Sequence, residues 1–295
     1  MNLFEAIILG IIQGVAEFLP ISSSGHLAIF KNFFGLEEAG IAYDILLHVG
    51  TLVAVFICFW SDIWELIVNG VGILVDACKN IGIFFVNLFN KNKKDYVMKE
   101  YVNVISTPFR RYVMLIIVAT IPTGLMGVLL KDMIEAVSAT LIVPGICLLI
   151  TSVILLIADN AKDGNENEEN VSYKKAGFVG ICQGFATMPG ISRSGTTVTA
   201  CLLAGMERTF AVKFSFIVSI PAIIGAAILD VPDLFEAGVT GSEMINYTVG
   251  TIVSGVVGYI CIKTMLKIVR KKKFKVFSIY CAVMGIIAIV GYFLI

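Results

Sequence analysis

Two polar interruptions in an otherwise apolar chain hold the residues able to do chemistry. In the first, Gln13 and Glu17 stand four apart and share one helix face. Glu17 lies close before the run Ser22-Ser23-Ser24-Gly25-His26. A carboxylate inside an apolar segment costs about 2.5–3.5 kcal/mol on insertion scales, so it turns to a partner or a wet cavity. The run after it offers three hydroxyls, a glycine that lets backbone approach a ligand, and an imidazole. Acid, base and nucleophile chemistry all fit these residues. Plainer roles are a Glu17 that reaches interfacial water, Ser22 and Ser24 capping a broken helix, and a buried, satisfied His26.

The second interruption centres on Arg193, flanked by Ser192 and Ser194 and carrying the only charge between Lys175 and Glu207. A guanidinium keeps its charge and matches phosphate oxygens in a bidentate fork. Gly190 and Gly195 bracket it, and Ser192, Ser194, Thr196 and Thr197 supply donors at a helix start, the chemistry of an anion site. The structural alternative is an ion pair with Glu17. Asp44 and His48 form a further i, i+4 pair that either borders a cavity or packs a helix.

An offset of 170 relates the two interruptions. Residues 10–25 (GIIQGVAEFLPISSSG) lie over 180–195 (GICQGFATMPGISRSG), with nine of sixteen positions identical, more than shared small and apolar residues explain. In this alignment Ser23 matches Arg193, Glu17 matches Thr187 and His26 matches Thr196. A duplicated unit has divided its work: acid, base and hydroxyl in one copy, cation in the other.

The elements that position these groups are membrane helices. Of the 295 residues 58% are hydrophobic and 15% charged, outside the range of a soluble domain. Residues 112–130, 137–158 and 276–295 each run 19 to 22 residues without a charge, enough to cross a hydrocarbon core of about 30 Å. Shorter candidate spans are 40–60, 214–229 and 247–262. Net charge is zero, and Lys and Arg cluster in 91–111 and 263–275 rather than among aromatics on one face, which argues against nucleic acid. The seven Cys show no metal or redox spacing. The N-terminus lacks a basic region or cleavage site and is not a removable signal peptide.

The positive-inside rule puts 91–111, 159–175, 206–213 and 263–275 in the cytoplasm, with 131–136 and 230–246 outside. Residues 176–205 then enter and leave on one side, as a re-entrant hairpin, and the repeat extends this to 1–30. Along residues 66–89 and the Glu65 just before them, Glu65, Asn69, Asp76, Asn80 and Asn87 recur at intervals of four and seven, which favours an amphipathic helix in the interface over a seventh span. The expected fold is an all-α integral membrane protein with an inverted repeat. The first repeat is 1–158 (hairpin 1–30, interfacial segment 66–89, spans 40–60, 112–130, 137–158). The second is 176–295 (hairpin 176–205, spans 214–229, 247–262, 276–295). Both termini lie outside and the hairpin tips meet near the midplane.

Gln13-Gly-Val-Ala-Glu17-Phe-Leu-Pro-Ile-Ser-Ser-Ser-Gly-His26 resembles the first signature of the undecaprenyl-diphosphate phosphatases, also called bacitracin-resistance proteins. Pro189-Gly-Ile-Ser-Arg-Ser-Gly-Thr-Thr197 resembles their second, in the right order and separation, and the hydropathy pattern matches end to end. The resemblance implies release of inorganic phosphate from undecaprenyl diphosphate, returning the monophosphate carrier to cell-wall synthesis. It also implies bacitracin resistance, dependence on a divalent cation (Mg²⁺ or Ca²⁺) held in part by Glu17, and a bacterial plasma-membrane location.

By motif, Glu17, Ser23, His26 and Arg193 take catalytic positions. Gln13, Ser22, Ser24, Gly25, Ser192, Ser194, Gly195, Thr196 and Thr197 surround the substrate. Ser23, His26 or a metal-held water is the nucleophile, a choice the sequence leaves open. Ser24 stands where Thr is common, and 61–111 is expanded. A lipid-carrier transporter or flippase is the competing function, since inverted repeats and a midplane anion site suit both. A homodimer is a candidate assembly. A phosphatidic-acid-type phosphatase is excluded: its His after the Arg is replaced by Thr199, and its Lys-x₆-Arg-Pro element is absent.

Overall fold

In a computed structural model, which describes residues 1–35, 41–93, 96–138, 140–229 and 241–294, the described chain is helical apart from turns, extended connections and one isolated bridge between Glu166 and Met206. Two short helices, α1 (Leu3–Phe18) and α2 (Ser23–Phe34), form the first hairpin. They are followed by α3 (Ile41–Cys58), α4 (Trp60–Asn90), α5 (Pro108–Leu129), α6 (Lys131–Ser138) and α7 (Ile142–Asn160). The second hairpin is α8 (Tyr173–Phe185) and α9 (Arg193–Leu203), then α10 (Arg208–Leu229), α11 (Gly241–Arg270) and α12 (Phe274–Leu294). Most of the expected loop 230–246 lies outside the described residues.

Six of these helices (α4, α5, α7, α10, α11 and α12) are long and apolar enough to cross a membrane. Their exposed surface is apolar, as in Ile121, Leu125, Val153, Ile252 and Ile286. The hairpin helices are shorter: α1 has 16 residues and α9 has 11, a rise of about 24 and 16 Å against a core of about 30 Å. Their caps follow from sequence. Asn2 and Glu5 close a capping box on α1, and Ser22 and Ser192 accept the amides of Gly25 and Gly195 at the starts of α2 and α9.

Packing partners follow the 170-residue repeat. On α1, Gly10 and Gly14 lie so close to α11 that a Cβ would stand 2.5 Å from the Gly250 carbonyl and 2.6 Å from that of Ser254. Their repeat equivalents on α8, Gly180 and Gly184, press α5 in the same way, at 2.1 Å from the Ala119 carbonyl and 2.5 Å from Met126 Sδ. Small residues permit this approach, the usual basis of helix association among apolar helices. The last helix of each half, α7 and α12, pack on each other through Gly145 and Gly285. Each hairpin is thus clamped by the opposite half of the chain.

The segment expected over 66–89 is one continuous helix from Trp60 to Asn90, and its polar stripe has a protein partner. The extended chain 96–107 runs back along it. Asn87 donates to the Lys99 carbonyl and accepts the Lys99 amide, both at 2.9 Å, and Asn80 does the same with Val102 at 2.8 Å. Arg110 joins Asp76 to the Val104 carbonyl, and Thr107 donates to Asn69. The spacings match: from 69 to 87 the helix rises about 27 Å, and from 107 to 99 an extended chain covers about 26 Å. The intervals of four and seven are therefore read by a strap.

Adding one methyl at the glycine contacts tests the clamp. Gly10→Ala and Gly180→Ala should each lower stability by about 1–3 kcal/mol through overpacking against backbone. Gly82→Ala and Gly127→Ala, where a Cβ meets nothing within 4 Å, should leave it unchanged or raise it. Unfolding midpoints in detergent give the comparison, and equal effects at all four positions would refute the close-approach account.

Candidate active site

The hairpin tips cross through equivalent positions. A Cβ on Gly25 would meet Gly190 Cα at 2.9 Å, and one on Gly195 would meet Pro20 Cβ at 3.1 Å; in the repeat 25 matches 195 and 20 matches 190. Gly190 takes φ +93°, a region open to glycine, and its amide donates to Ser24 Oγ. Thr151 on α7 braces the second tip, accepting the Ser192 amide at 2.9 Å and donating to the Gly190 carbonyl at 3.0 Å. The crossing brings the N-termini of α2 and α9 together, and with them two positive helix ends.

Glu17 sits where they meet. Its side chain is 3% exposed. Oε1 pairs with the Arg193 guanidinium from the other hairpin. Oε2 accepts from Ser23 Oγ at 2.6 Å and from Gln13 Nε2 at 3.0 Å, and His48 Nε2 is 3.7 Å away. Arg193 also donates to the Ser219 carbonyl on α10. Thr197 Oγ1 bonds the Arg193 carbonyl and Ser215, steadying the first turn of α9.

A cavity of about 600 Å³ opens beside this group. Glu17, Ser22, Ser23, Ser24, Asp44, His48, Arg193 and Ser194 give it a polar floor. Ala222, Ile223, Ala226 and Ala227 of α10, with Ile45 and Ile191, give it an apolar wall. Such a site fits a ligand with an anionic head and a hydrocarbon body.

The residues singled out in the sequence divide into two groups. Glu17, Ser22, Ser23, Ser24, Arg193 and Ser194 line the cavity, with Gln13 directly behind Glu17. Ser192 and Gly195 lie in the buried turn that starts α9, Gly25 is buried against Gly190, and Thr196 and Thr197 point into protein behind Arg193. His26 is elsewhere than its sequence neighbours suggest. It is 2% exposed, its Nδ1–H donates to the Ser22 carbonyl at 2.8 Å, and its Nε2 accepts from Tyr280 of α12 at 2.8 Å, with the two rings stacked. Ser22 holds that carbonyl with φ +71°, a strained setting for a serine.

His48, read in the sequence as either cavity or packing residue, is the histidine at the cavity, its Nδ1–H fixed by the Asp44 carbonyl. Tyr280 and Thr151 carry no motif, and nothing short of the fold reveals them.

The family model of the bacitracin resistance protein BacA matches residues 6–287. The chain belongs to this family. Similar proteins named undecaprenyl-diphosphatase occur in Methanosphaera stadtmanae (40% identical, covering 98% of both chains), Desulforapulum autotrophicum (39%, 99% of both) and Carboxydothermus hydrogenoformans (37%, 98% of this chain and 97% of the relative). Members from Bacillus cereus and Bacillus thuringiensis carry the name undecaprenyl-diphosphatase 4.

The Glu17–Arg193 pair should behave as a buried ion pair. Removing one partner leaves the other charge unmet and costs about 3–5 kcal/mol. Arg193→Gln alone should therefore lower the unfolding midpoint more than the double variant Glu17→Gln/Arg193→Gln. A double variant no more stable than the single one would show that the two side chains are uncoupled.

Proposed function

We propose that this chain is a membrane phosphatase that releases inorganic phosphate from undecaprenyl diphosphate and returns undecaprenyl phosphate for cell-wall synthesis, a turnover that confers bacitracin resistance. One arrangement carries the reading: a serine hydroxyl bonded to a buried carboxylate, with an arginine on that carboxylate's other oxygen, at two helix N-termini under an apolar wall. The names of the relatives support the same substrate. They do not favour the transporter alternative.

In this mechanism the terminal phosphoryl group sits against Arg193 and the α9 N-terminus. Arg193 shifts from Glu17 to the phosphate oxygens and neutralises developing charge. Ser23 Oγ gives its proton to Glu17 Oε2 and bonds the terminal phosphorus. The bond from that phosphorus to the bridging oxygen breaks, and the oxygen leaves with its electron pair on undecaprenyl phosphate. Water then displaces the phosphoryl group, Glu17 returns its proton to Ser23 Oγ, and inorganic phosphate departs. Ser23 is favoured over His26 because both ring nitrogens of His26 are engaged away from the cavity. His26 instead ties the first hairpin to α12 through Tyr280.

A divalent cation suits the donor set. Gln13 Oε1, buried beside Glu17, has no hydrogen-bond partner, and a hard cation takes one or two such protein oxygens together with substrate phosphate oxygens. Among the described residues no group of three His, Cys, Asp or Glu side chains gathers for a metal, so Glu17 and Gln13 would hold it only with the diphosphate present. When bound, Mg²⁺ or Ca²⁺ would supply charge neutralisation at the phosphate oxygens.

The pairing of each hairpin with the opposite half supports an inverted repeat. The tips then meet near the midplane, and the cavity opens along the C-terminal half of α10 toward the outer face of the plasma membrane, with both termini outside.

Phosphate release from undecaprenyl diphosphate by purified protein in detergent separates enzyme from transporter. Glu17→Gln and Ser23→Ala should each lower the rate about 10²- to 10⁴-fold, the usual range for loss of positioned acid–base chemistry. Arg193→Ala should lower kcat and raise KM. Substrate labelled on its terminal phosphate should mark wild-type protein but not Ser23→Ala. Unchanged rates in Glu17→Gln and Arg193→Ala would overturn the site, and a label retained in Ser23→Ala would overturn the nucleophile.

A further inference from the structure

Helix α4 meets the requirement of length for a membrane span, with 31 residues rising about 46 Å. Its strap contradicts that use. Between 96 and 107 the chain is extended and lies outside any helix or sheet. Among the described residues its peptide groups bond α4 where Asn80 reaches Val102 and Asn87 reaches Lys99, while Arg110 of α5 takes the Val104 carbonyl. The Tyr96 and Ile105 amides bond locally, to the Lys93 carbonyl and to Asn103 Oδ1, and the other peptide groups of the strap need water. In hydrocarbon each unmet group costs several kcal/mol, and exposed irregular backbone does not occur there. The strap therefore stays on the aqueous side, and it covers the polar stripe of α4 from Asn69 to Asn87.

The opposite face of α4 is directed away from the strap. Ile67, Val71, Leu74, Ile81, Phe85 and Phe89 recur on it at helical spacing and are all about half exposed or more, up to 77% at Phe89. Only the first turns of α4 are anchored in the protein core, through Ile63 and Leu66. Beyond Arg110 and Asp76 the helix leaves the bundle, at the end where α3 stops and α5 starts. Charges flank it asymmetrically. Lys79, Lys91, Lys93 and Lys99 are exposed against Glu65 and Glu100, while Asp76 is occupied by Arg110 and Lys79.

We propose that α4 and its strap form a paddle that lies flat on the leaflet at this end of the bundle, apolar face in the acyl boundary, strap toward water, lysines on anionic headgroups. The bilayer is the occupant because the apolar face continues the lipid-facing surface of α5, where Ile117, Ile121 and Leu125 are exposed, and because the surrounding charge is basic. The asparagine pairs make this possible. They use the polar stripe within the protein, so the helix keeps a wide apolar face yet stays tied to a chain that cannot sink.

The test uses full-length protein in vesicles of zwitterionic lipid with or without an anionic phospholipid. Cysteines are introduced one at a time as Phe85→Cys and Glu100→Cys in a Cys78→Ala background. Phosphate release should match wild type, since neither position touches the active site. A fluorophore at Phe85→Cys should be quenched most by nitroxides about 5–10 Å below the headgroup boundary. Glu100→Cys should react readily with a water-soluble maleimide that leaves Phe85→Cys unlabelled. Replacing Lys79, Lys91, Lys93 and Lys99 by Gln should abolish any extra quenching seen with anionic lipid.

Strongest quenching from the bilayer centre would mean a span and overturn the proposal. Free labelling of Phe85→Cys would mean a helix in water, and protection that rises with protein density would mean a second copy; either result also overturns it. Quenching identical with and without anionic lipid would overturn the headgroup contact.

Discussion

Burying a carboxylate among apolar helices is costly unless donors surround it, and at Glu17 they come from three helices. Gln13 lies on the same helix, Ser23 across the first turn, and Arg193 on the other hairpin. Since Arg193 is reached only when the two tips cross, the charge on Glu17 ties the site to the tertiary fold. The crossing in turn depends on glycine at 25 and 195, where larger residues would hold the tips apart, and on Gly190, which lets the second tip press α7 at Pro144. The same contact that makes the ion pair aligns two helix N-termini, so the arrangement that stabilises the buried acid also gathers positive charge at the cavity.

The 170-residue repeat lets one local geometry hold two unlike sets of side chains. Gln13 and Gln183 are equivalent, yet the first supports the acid while the second bonds Thr123 and the Val218 carbonyl, purely within packing. Ser23 and Arg193 are equivalent too, each the first residue of a helix capped by a serine. Geometry was kept and side chains diverged, which places a nucleophile candidate and a cation at matching points across one cavity.

The segment 60–107 shows a different solution to a polar stripe in a membrane protein. An amphipathic pattern is ordinarily read as one face for water and one for lipid. Here asparagines at 80 and 87 each bond both polar groups of one residue on the extended strap, and the rise of a helix over seven residues matches that of an extended chain over three. Length and hydropathy alone count α4 among the helices able to span; the strap's peptide groups are the argument for the leaflet surface instead.

Much was legible in the residues themselves. Charge-free runs near 20 residues identify the spans, the 170-residue offset identifies paired hairpins, and Glu17, Ser23 and Arg193 stand out because polar groups in apolar sequence need a reason. Those signals are local or repetitive, so a single chain displays them. The partner of each polar group is not local. His26, next in sequence to the serines, turns to Tyr280, 254 positions away, while His48 from a separate helix faces Glu17. Side-chain direction at a helix start depends on which neighbours pack against it, and that is decided only when α3, α10 and α12 close around the crossed tips. Sequence alone determined which two polar segments needed partners; tertiary structure decided which atoms face the cavity and which merely hold its walls.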